Sequence, residues 1–538
     1  MKRSAHLVLA IMMTALLVLT GCFEGEDSPD GDTLDGDIVD GDITDGDTVD
    51  GDITDGDTDG NSGNAAFSFE VSPGTLSVYF QSMLDSYTEY PANTFAWDFG
   101  DGETGSGHSI NHEYAIPGSY TVSLTVTLDG STEETSHDVL INGWGVVKWK
   151  FEFEDTQWGV ESGNGSMALA EDGTIYALVT PSRSIYSIAP DGTKNWKFND
   201  FDHPHLGGCA DPIFSNLTQT LYVVCSMTPE AQAYTTIVTA ITHDGQKKWT
   251  TQIPDGQTSG GWGLALRSVP GTGTDELYLS TAPGPLEDQK ASIYVINSSG
   301  GGITKSSYES TLGIIGLAFG PGDSLHVLLQ DGHLDVLSPE FATLWSYEPQ
   351  TPTTQRGYMA IDSQGRVFVP LTNPPSLVAL YNNPNNSTNL LWTYATTGDP
   401  GPPSITANGD VCVLERSFGL KTFAPSDGSL IWEANQYAYS GSLAIAALAD
   451  GTLLAEVDHA QVAFSADGES LGWGPPALMT SPTAVANDGT YYIYGLRSHD
   501  TVYADALYAV YGPSPLAPGW SRPRANNANT ARVSSGQK

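Results

Sequence analysis

Between Gly165 and Gln537 one phrase of short apolar runs punctuated by Asp-Gly turns recurs eight times, and this repeat limits the fold more than any other feature of the chain. The plainest copy runs from Met167 through Ile175-Tyr-Ala-Leu178 to Ser184-Ile-Tyr-Ser-Ile188 and Lys194-Asn-Trp196-Lys-Phe198, with Asp172-Gly173 and Asp191-Gly192 between the runs. Apolar runs joined by Asp-Gly read as hairpins, because Asp-Gly suits the positive-φ positions of a tight type I′ turn. Each copy is therefore expected to be four short antiparallel strands. The second strand recurs near Leu221, Leu277, Leu325, Val367, Val411, Leu453 and Tyr491. A period of roughly 40 to 55 residues points to an array of blades.

Most copies carry a Trp in the fourth strand: Trp196, Trp249, Trp345, Trp392, Trp432 and Trp473, with Tyr308 standing in the third copy. A lone four-stranded sheet cannot bury both faces, so the copies must stack, and radial stacking leaves only short edges. The eighth copy runs into Pro513, Pro515 and Pro518 where its fourth strand should be, and proline cannot donate to a central ladder. The missing strand is found upstream, in Val146-Val-Lys-Trp149-Lys-Phe-Glu-Phe153, which is expected to close the ring. Over about 390 residues this repeat resembles the PQQ-like, quinoprotein-type β-propeller. The tail Gly519-Trp520-Ser-Arg-Pro-Arg-Ala-Asn-Asn is similar to a segment that accompanies such propellers. The resemblance implies an eight-bladed propeller over residues 143–538. It implies little about function, since the family spans dehydrogenases, assembly scaffolds and surface proteins.

Residues 65–142 form a different pattern. Phe95-Ala-Trp97-Asp98-Phe99-Gly-Asp101-Gly102, then His112-Glu-Tyr114, then Pro117-Gly-Ser-Tyr120-Thr-Val-Ser-Leu-Thr-Val resembles the PKD domain, an Ig-like β-sandwich. Trp97 is expected between the two sheets, with Asp98 and Asp101 holding a turn. The fold class is thus all-β throughout, a sandwich followed by a propeller.

The first 22 residues pair Met1-Lys-Arg3 with an apolar run from Leu7 to Leu19 and end in Leu19-Thr-Gly-Cys22. The run is short of the ~20 apolar residues a membrane span needs. It resembles a bacterial lipoprotein signal, which implies a lipid-bearing Cys22, and Phe23 in place of Asp implies sorting to the outer membrane or surface of a Gram-negative cell. Residues 23–64 then hold sixteen carboxylates without Lys or Arg, largely as Asp-Gly-Asp repeats. Self-repulsion and glycine predict an extended tether. Calcium is the competing ligand there, but no Glu closes an EF-hand loop. The whole chain has a formal net charge of −43, which excludes the basic stripe that nucleic-acid binding needs.

Chemistry is sparse. Cys209 and Cys225 reflect across a turn near residue 217 and are expected to form a disulfide, while Cys412 reads as a buried apolar filler. His203-Pro-His205 lacks further ligands for a metal and reads as a loop. No nucleophile or metalloprotease motif occurs, and no catalytic residue is assigned. The adjacent cysteines common in quinone-using relatives are missing, so neither calcium nor PQQ is expected as a cofactor. In this template the loops joining strand two to three and strand four to one open on one face. They are expected to bring Arg183, Arg356, Arg416 and Arg497 together with Trp158 and Trp262, a set suited to an anionic sugar or carboxylate. The reading is a monomeric, membrane-anchored module that binds envelope proteins or extracellular glycans. The alternative is a quinoprotein-type dehydrogenase or a carbohydrate-active propeller enzyme.

Overall fold

The computed structural model describes residues 65–519 apart from 73–74, 85–93, 129, 142, 144, 155–165, 180–183, 202–205, 228–234, 254–262, 284–289, 350–357, 383–387, 436–443, 458–459, 474–477, 480–483 and 500–501. The signal, the tether, His203, His205 and the tail from Trp520 lie outside the described residues.

Strict alternation in the first segment gives two facing sheets. One holds Phe67–Val71, Ser77–Ser82 and Ser109–Glu113; the other holds Thr104–Ser106, Thr94–Asp98, Gly118–Leu128 and Ser131–Ile141. Every second residue of Gly118–Leu128 points inward, so Val122, Leu124 and Val126 meet Val78, Phe80 and the buried Trp97. The indole of Trp97 donates to the Gly107 carbonyl at 2.8 Å, which satisfies its one polar atom. Asp98 accepts from the Gly100 amide and Asp101 from the Glu103 amide, so both carboxylates hold the turn. Asp101 also meets the His112 ring nitrogen at 2.8 Å.

From Val147 onward the described residues form eight repeat sheets. Six are four-stranded meanders. The second and eighth have their first strand in two pieces, Leu206–Cys209 with Ile213–Ser215 and Leu478–Met479 with Ala484–Val485. Middle strands such as Ile175–Val179 and Ser184–Ile188 are buried at every residue, because each sheet packs on both neighbours. Sheet one packs on sheet two through Tyr176, Phe214 and Leu221. It also packs on sheet eight through Ile175, Tyr186, Tyr492 and Leu507, so the stack is cyclic. Val147–Glu152 completes sheet eight by pairing with Val502–Val510, where Trp149 faces Ala509. A large β-propeller follows the sandwich, and its eight sheets fit about eight blades.

The Asp-Gly turns are not type I′. In the first, Gly173 N–H donates to Ala170 O and Ala170 N–H to Thr174 O, enclosing a three-residue loop. Only Gly173 has positive φ, at 86°, while Asp172 accepts from the Thr174 amide. The same loop recurs at Asp191-Gly192, Asp331-Gly332 and Asp488-Gly489. An Asp that bonds forward to the backbone two residues on favours an ordinary turn, and glycine alone then takes the left-handed position.

Five of the repeat tryptophans dock on a turn of the next sheet. Trp149 donates to Pro190 O, Trp196 to His243 O, Trp249 to Ser298 O, Trp392 to Pro425 O and Trp432 to Ala466 O, all within 3.1 Å. Turn glycines such as Gly192 and Gly468 lie flat against the incoming indole, and a Cβ at either would approach it to 2.8 Å or less. Two junctions differ. In sheet three Tyr308 donates to the Asp335 carboxylate at 2.6 Å instead of to a carbonyl. In sheet seven the register sets Gly472 opposite Ala463, the place taken elsewhere by Trp, and moves Trp473 one residue on, opposite Val462. The sequence pattern, which aligned Trp473 with the other indoles, misses this shift.

The proline segment after Val510 crosses back to sheet seven. Ala449 N–H donates to Pro515 O and Ala517 N–H to Ala447 O, both at 2.8 Å. Proline lacks a donor but keeps its carbonyl, so a strand unfit for a central ladder serves here as a strap.

Candidate functional site

Of the six residues expected to meet on one face, the structure places one at a turn with its side chain described. Arg416 lies exposed in the turn between Val411–Glu415 and Gly419–Phe423 of sheet six. Arg183, Arg356, Trp158 and Trp262 lie outside the described residues. Arg497 is not in a loop. It pairs in register with Ala504 inside the long hairpin of Tyr491–His499 and Val502–Val510, whose nine-residue strands run past the length seen in other repeat sheets. Arg366, at the opposite end of the strands, is paired with Asp362.

The Arg416 turn is built on a buried charge pair. Glu415 is completely buried, and its Oε1 lies 2.9 Å from Lys421 Nζ. Its Oε2 accepts the Thr397 and Gly398 amides at 3.0 and 3.3 Å. Glu433 adds a second carboxylate 3.9 Å from Lys421. A buried carboxylate persists only when paired and hydrogen-bonded, and here each oxygen has a partner. The loop that brings in those amides is held by Arg416 N–H to Asp399 O at 3.0 Å and Gly401 N–H to Leu414 O at 2.8 Å. Gly398 fits because it has no side chain: a Cβ there would lie 2.3 Å from the Arg416 carbonyl and 2.6 Å from the Phe418 ring.

On this base Ser417 takes a left-handed conformation, φ 66°, and Phe418 stands 42 % exposed beside Arg416. Arg416 enters no ion pair among the described residues. A guanidinium and an exposed ring two residues apart on such a turn can hold an anionic group by charge-assisted hydrogen bonds while a sugar or aliphatic face lies on the phenyl. Sequence reasoning passed over Glu415, Lys421 and Phe418. Their signal was a lysine inside the apolar strand Gly419-Leu-Lys-Thr-Phe423, where only a buried partner explains it.

The cysteines lie elsewhere. Cys209 and Cys225 face each other across neighbouring strands of sheet two and are joined by a disulfide. Cys412 is buried and free, and burial pushes its thiol up to about 12. Among the described residues no three His, Cys, Asp or Glu side chains converge as metal ligands, and no helix is long and apolar enough to cross a membrane. A cleft of about 620 Å³ on the sandwich is lined by Asp101, Glu103, Glu113, Tyr114 and Tyr120, but Asp101 is already committed to His112 and its own turn.

Residues 71–141 match the family described as PKD domain. No curated protein matches the chain. Among solved structures the chain is similar to BamB from Moraxella catarrhalis at 10 % identity and TM-score 0.46, covering 67 % of this chain and 98 % of that one. It is also similar to the C-terminal WD40 domain of Sif2, at 5 % identity and TM-score 0.45, with 64 % and 96 % covered. Sqt1 of Saccharomyces cerevisiae is similar at 10 % identity and TM-score 0.46, with 66 % and 98 % covered. The chain is a PKD domain followed by a large β-propeller.

Proposed function

We propose that this chain is a lipid-anchored envelope protein, held at Cys22, whose eight-bladed propeller is a non-catalytic binding or scaffolding module for proteins or glycans that present an anionic group. The observation that carries the reading is the Arg416–Phe418 turn, seated on the buried Glu415–Lys421 pair and open to solvent. A net charge of −43 repels an anionic ligand at long range. Binding therefore rests on close contact, where one hydrogen bond to a charged group contributes about 1.5 to 3 kcal/mol. The repeat's likeness to the PQQ-like propeller and the eight stacked sheets support the blade number, and the Leu19-Thr-Gly-Cys22 motif supports the anchor at an outer membrane.

An array of acidic glycans and acidic peptides probed with the wild type, Arg416→Ala and Arg366→Ala tests it. Arg416→Ala is expected to weaken capture at least tenfold, and Arg366→Ala, at the other end of the strands, to leave it unchanged. Equal binding by all three proteins, or capture of nothing acidic, overturns the reading.

A further inference from the structure

Seven of the eight sheets share a β-bulge at one place, the start of the fourth strand. In sheet six Phe423 faces Leu430 and Thr422 faces Trp432, so Ile431 is the extra, unpaired residue. The same count leaves Lys148 extra in sheet eight, Asn195 in sheet one and Lys248 in sheet two. It leaves Leu344, Leu391 and Leu471 extra in sheets four, five and seven. A bulge turns its extra side chain out of the ladder. That position is polar in the consecutive sheets eight, one and two, and aliphatic in the consecutive sheets four to seven.

The aliphatics serve no core. Leu344 is 55 % exposed, Leu391 36 %, Ile431 49 % and Leu471 50 %. Asn195 and Lys248 hold the same place without harm to their sheets, so the fold does not ask for an apolar residue there. Fourth strands are also the outer edges of their sheets, the edges that natural proteins guard with charge, above all lysine. Lysine guards them in sheets eight, one, two and three, at Lys148, Lys194, Lys247 and Lys305, and in no fourth strand of sheets four to seven. Four consecutive sheets thus each expose one aliphatic side chain at the same place on the rim, on an outer edge that carries no lysine.

Charge decides what docks. Glu340, Asp427 and Asp467 stand in the turns four residues before Leu344, Ile431 and Leu471, so three of the four aliphatics follow an acidic turn; at Leu391 the same place holds Ser387. Asp427 lies in the open, and hydrogen bonds from the Ser429 amide and hydroxyl hold its carboxyl below the usual range, hence ionised. A second copy of a chain with net charge −43, or an anionic bilayer, meets repulsion there. A partner that brings apolar side chains between cationic ones meets both features. We propose that Leu344, Leu391, Ile431 and Leu471 form a docking arc for an extended segment of another protein in which apolar and basic residues alternate. This surface lies at the opposite end of the strands from the Arg416 turn, so it stands or falls independently of the anionic ligand proposed above.

The test uses the full chain and three fluorescent twelve-residue probes, alternating Leu-Lys, Leu-Glu and Ser-Lys, measured by anisotropy against the wild type and the triple variant Leu344→Asn, Ile431→Asn, Leu471→Asn. Asparagine is the residue sheet one already carries at this place, and melting temperature checks the fold. The Leu-Lys probe is expected to bind the wild type, to lose at least tenfold on the triple variant, and to bind at least tenfold better than the other two probes. If the triple variant melts early, Ile431→Asn alone is read, with about a threefold loss expected. Equal binding to wild type and variant, or equal binding of Ser-Lys and Leu-Lys, overturns the proposal. So does self-association in sedimentation, or adhesion to phosphatidylcholine vesicles, that the triple variant abolishes, since the occupant would then be a second copy or a bilayer.

Discussion

Trp149 donates its indole N–H to the carbonyl of Pro190 at 2.9 Å, so the strand that precedes the first repeat is fastened to the last turn of sheet one. Trp149 itself belongs to sheet eight, opposite Ala509. One side chain therefore joins the two ends of the ring, and Gly192, at φ 87°, leaves room for its ring.

Ring closure is the first expectation. Trp149→Ala removes a packed aromatic and its hydrogen bond, a loss of about 3 kcal/mol. Deleting 146–153 exposes the long edge of Val502–Val510 and is expected to cause aggregation. Deleting 30–60 from the tether is expected to leave thermal unfolding unchanged. Equal melting temperatures for the two deletions would contradict the closure.

The junction between sheets three and four is expected to depend on pH. Burial pushes the Asp335 carboxyl up, but hydrogen bonds from His333, Ser346 and Tyr308 outweigh it and hold the group at about 2. A depressed carboxylate stabilises the fold above its unfolded value near 3.8, and that share, about 2 kcal/mol, is lost as pH falls through about 2. The hydrogen bond to Asp335 raises His333, so its share is complete below the unfolded value of 6.5 and is lost as pH rises through the raised one. Urea unfolding of wild type and Asp335→Asn is expected to show the widest gap between about pH 4 and 6.5, closing toward pH 2. A gap that stays constant down to pH 2 would show that Asp335 is not the titrating group.

Sulfur chemistry is expected to separate the described cysteines. Non-reducing peptide maps of exported protein are expected to recover Cys209 joined to Cys225, and Cys209→Ser with Cys225→Ser to cost about 3 kcal/mol for a closed loop of this length, a separation of 16 residues. Cys412, buried with a thiol pushed up to about 12, is expected to resist iodoacetamide until the protein unfolds. Rapid alkylation of Cys412 in the native protein would place it at the surface.

Membrane attachment is expected to rest on Cys22. Cys22→Ala is expected to abolish labelling by a clickable fatty acid and to shift the protein to the soluble fraction, because acyl chains anchor by burying their methylenes in the bilayer. Membrane retention of the variant in detergent-free buffer would count against the anchor.

The repeat alone determined the strands, their order within each sheet and the role of Val146–Phe153 as the missing fourth strand. Those features depend on residue patterns a few positions apart and on the need of every sheet for two neighbours. It also paired Cys209 with Cys225, although the register next to the turn, Ile213 opposite Tyr222, slips by one residue before the two cysteines meet. Contacts between sheets were decided by the tertiary structure. Nothing local tells that Tyr308 meets a carboxylate where Trp196 meets a carbonyl, or that Gly472 and not Trp473 takes the docking place, because each depends on which atom the next sheet presents. The buried Glu415–Lys421 pair was equally hidden: the two are six residues apart, but only the amides of Thr397 and Gly398, brought in by the loop from sheet five, make a buried carboxylate tolerable. The bulges complete the contrast. The repeat pattern does not set Leu344, Leu391, Ile431 and Leu471 apart from their neighbours, whereas strand pairing leaves each one unmatched and exposed.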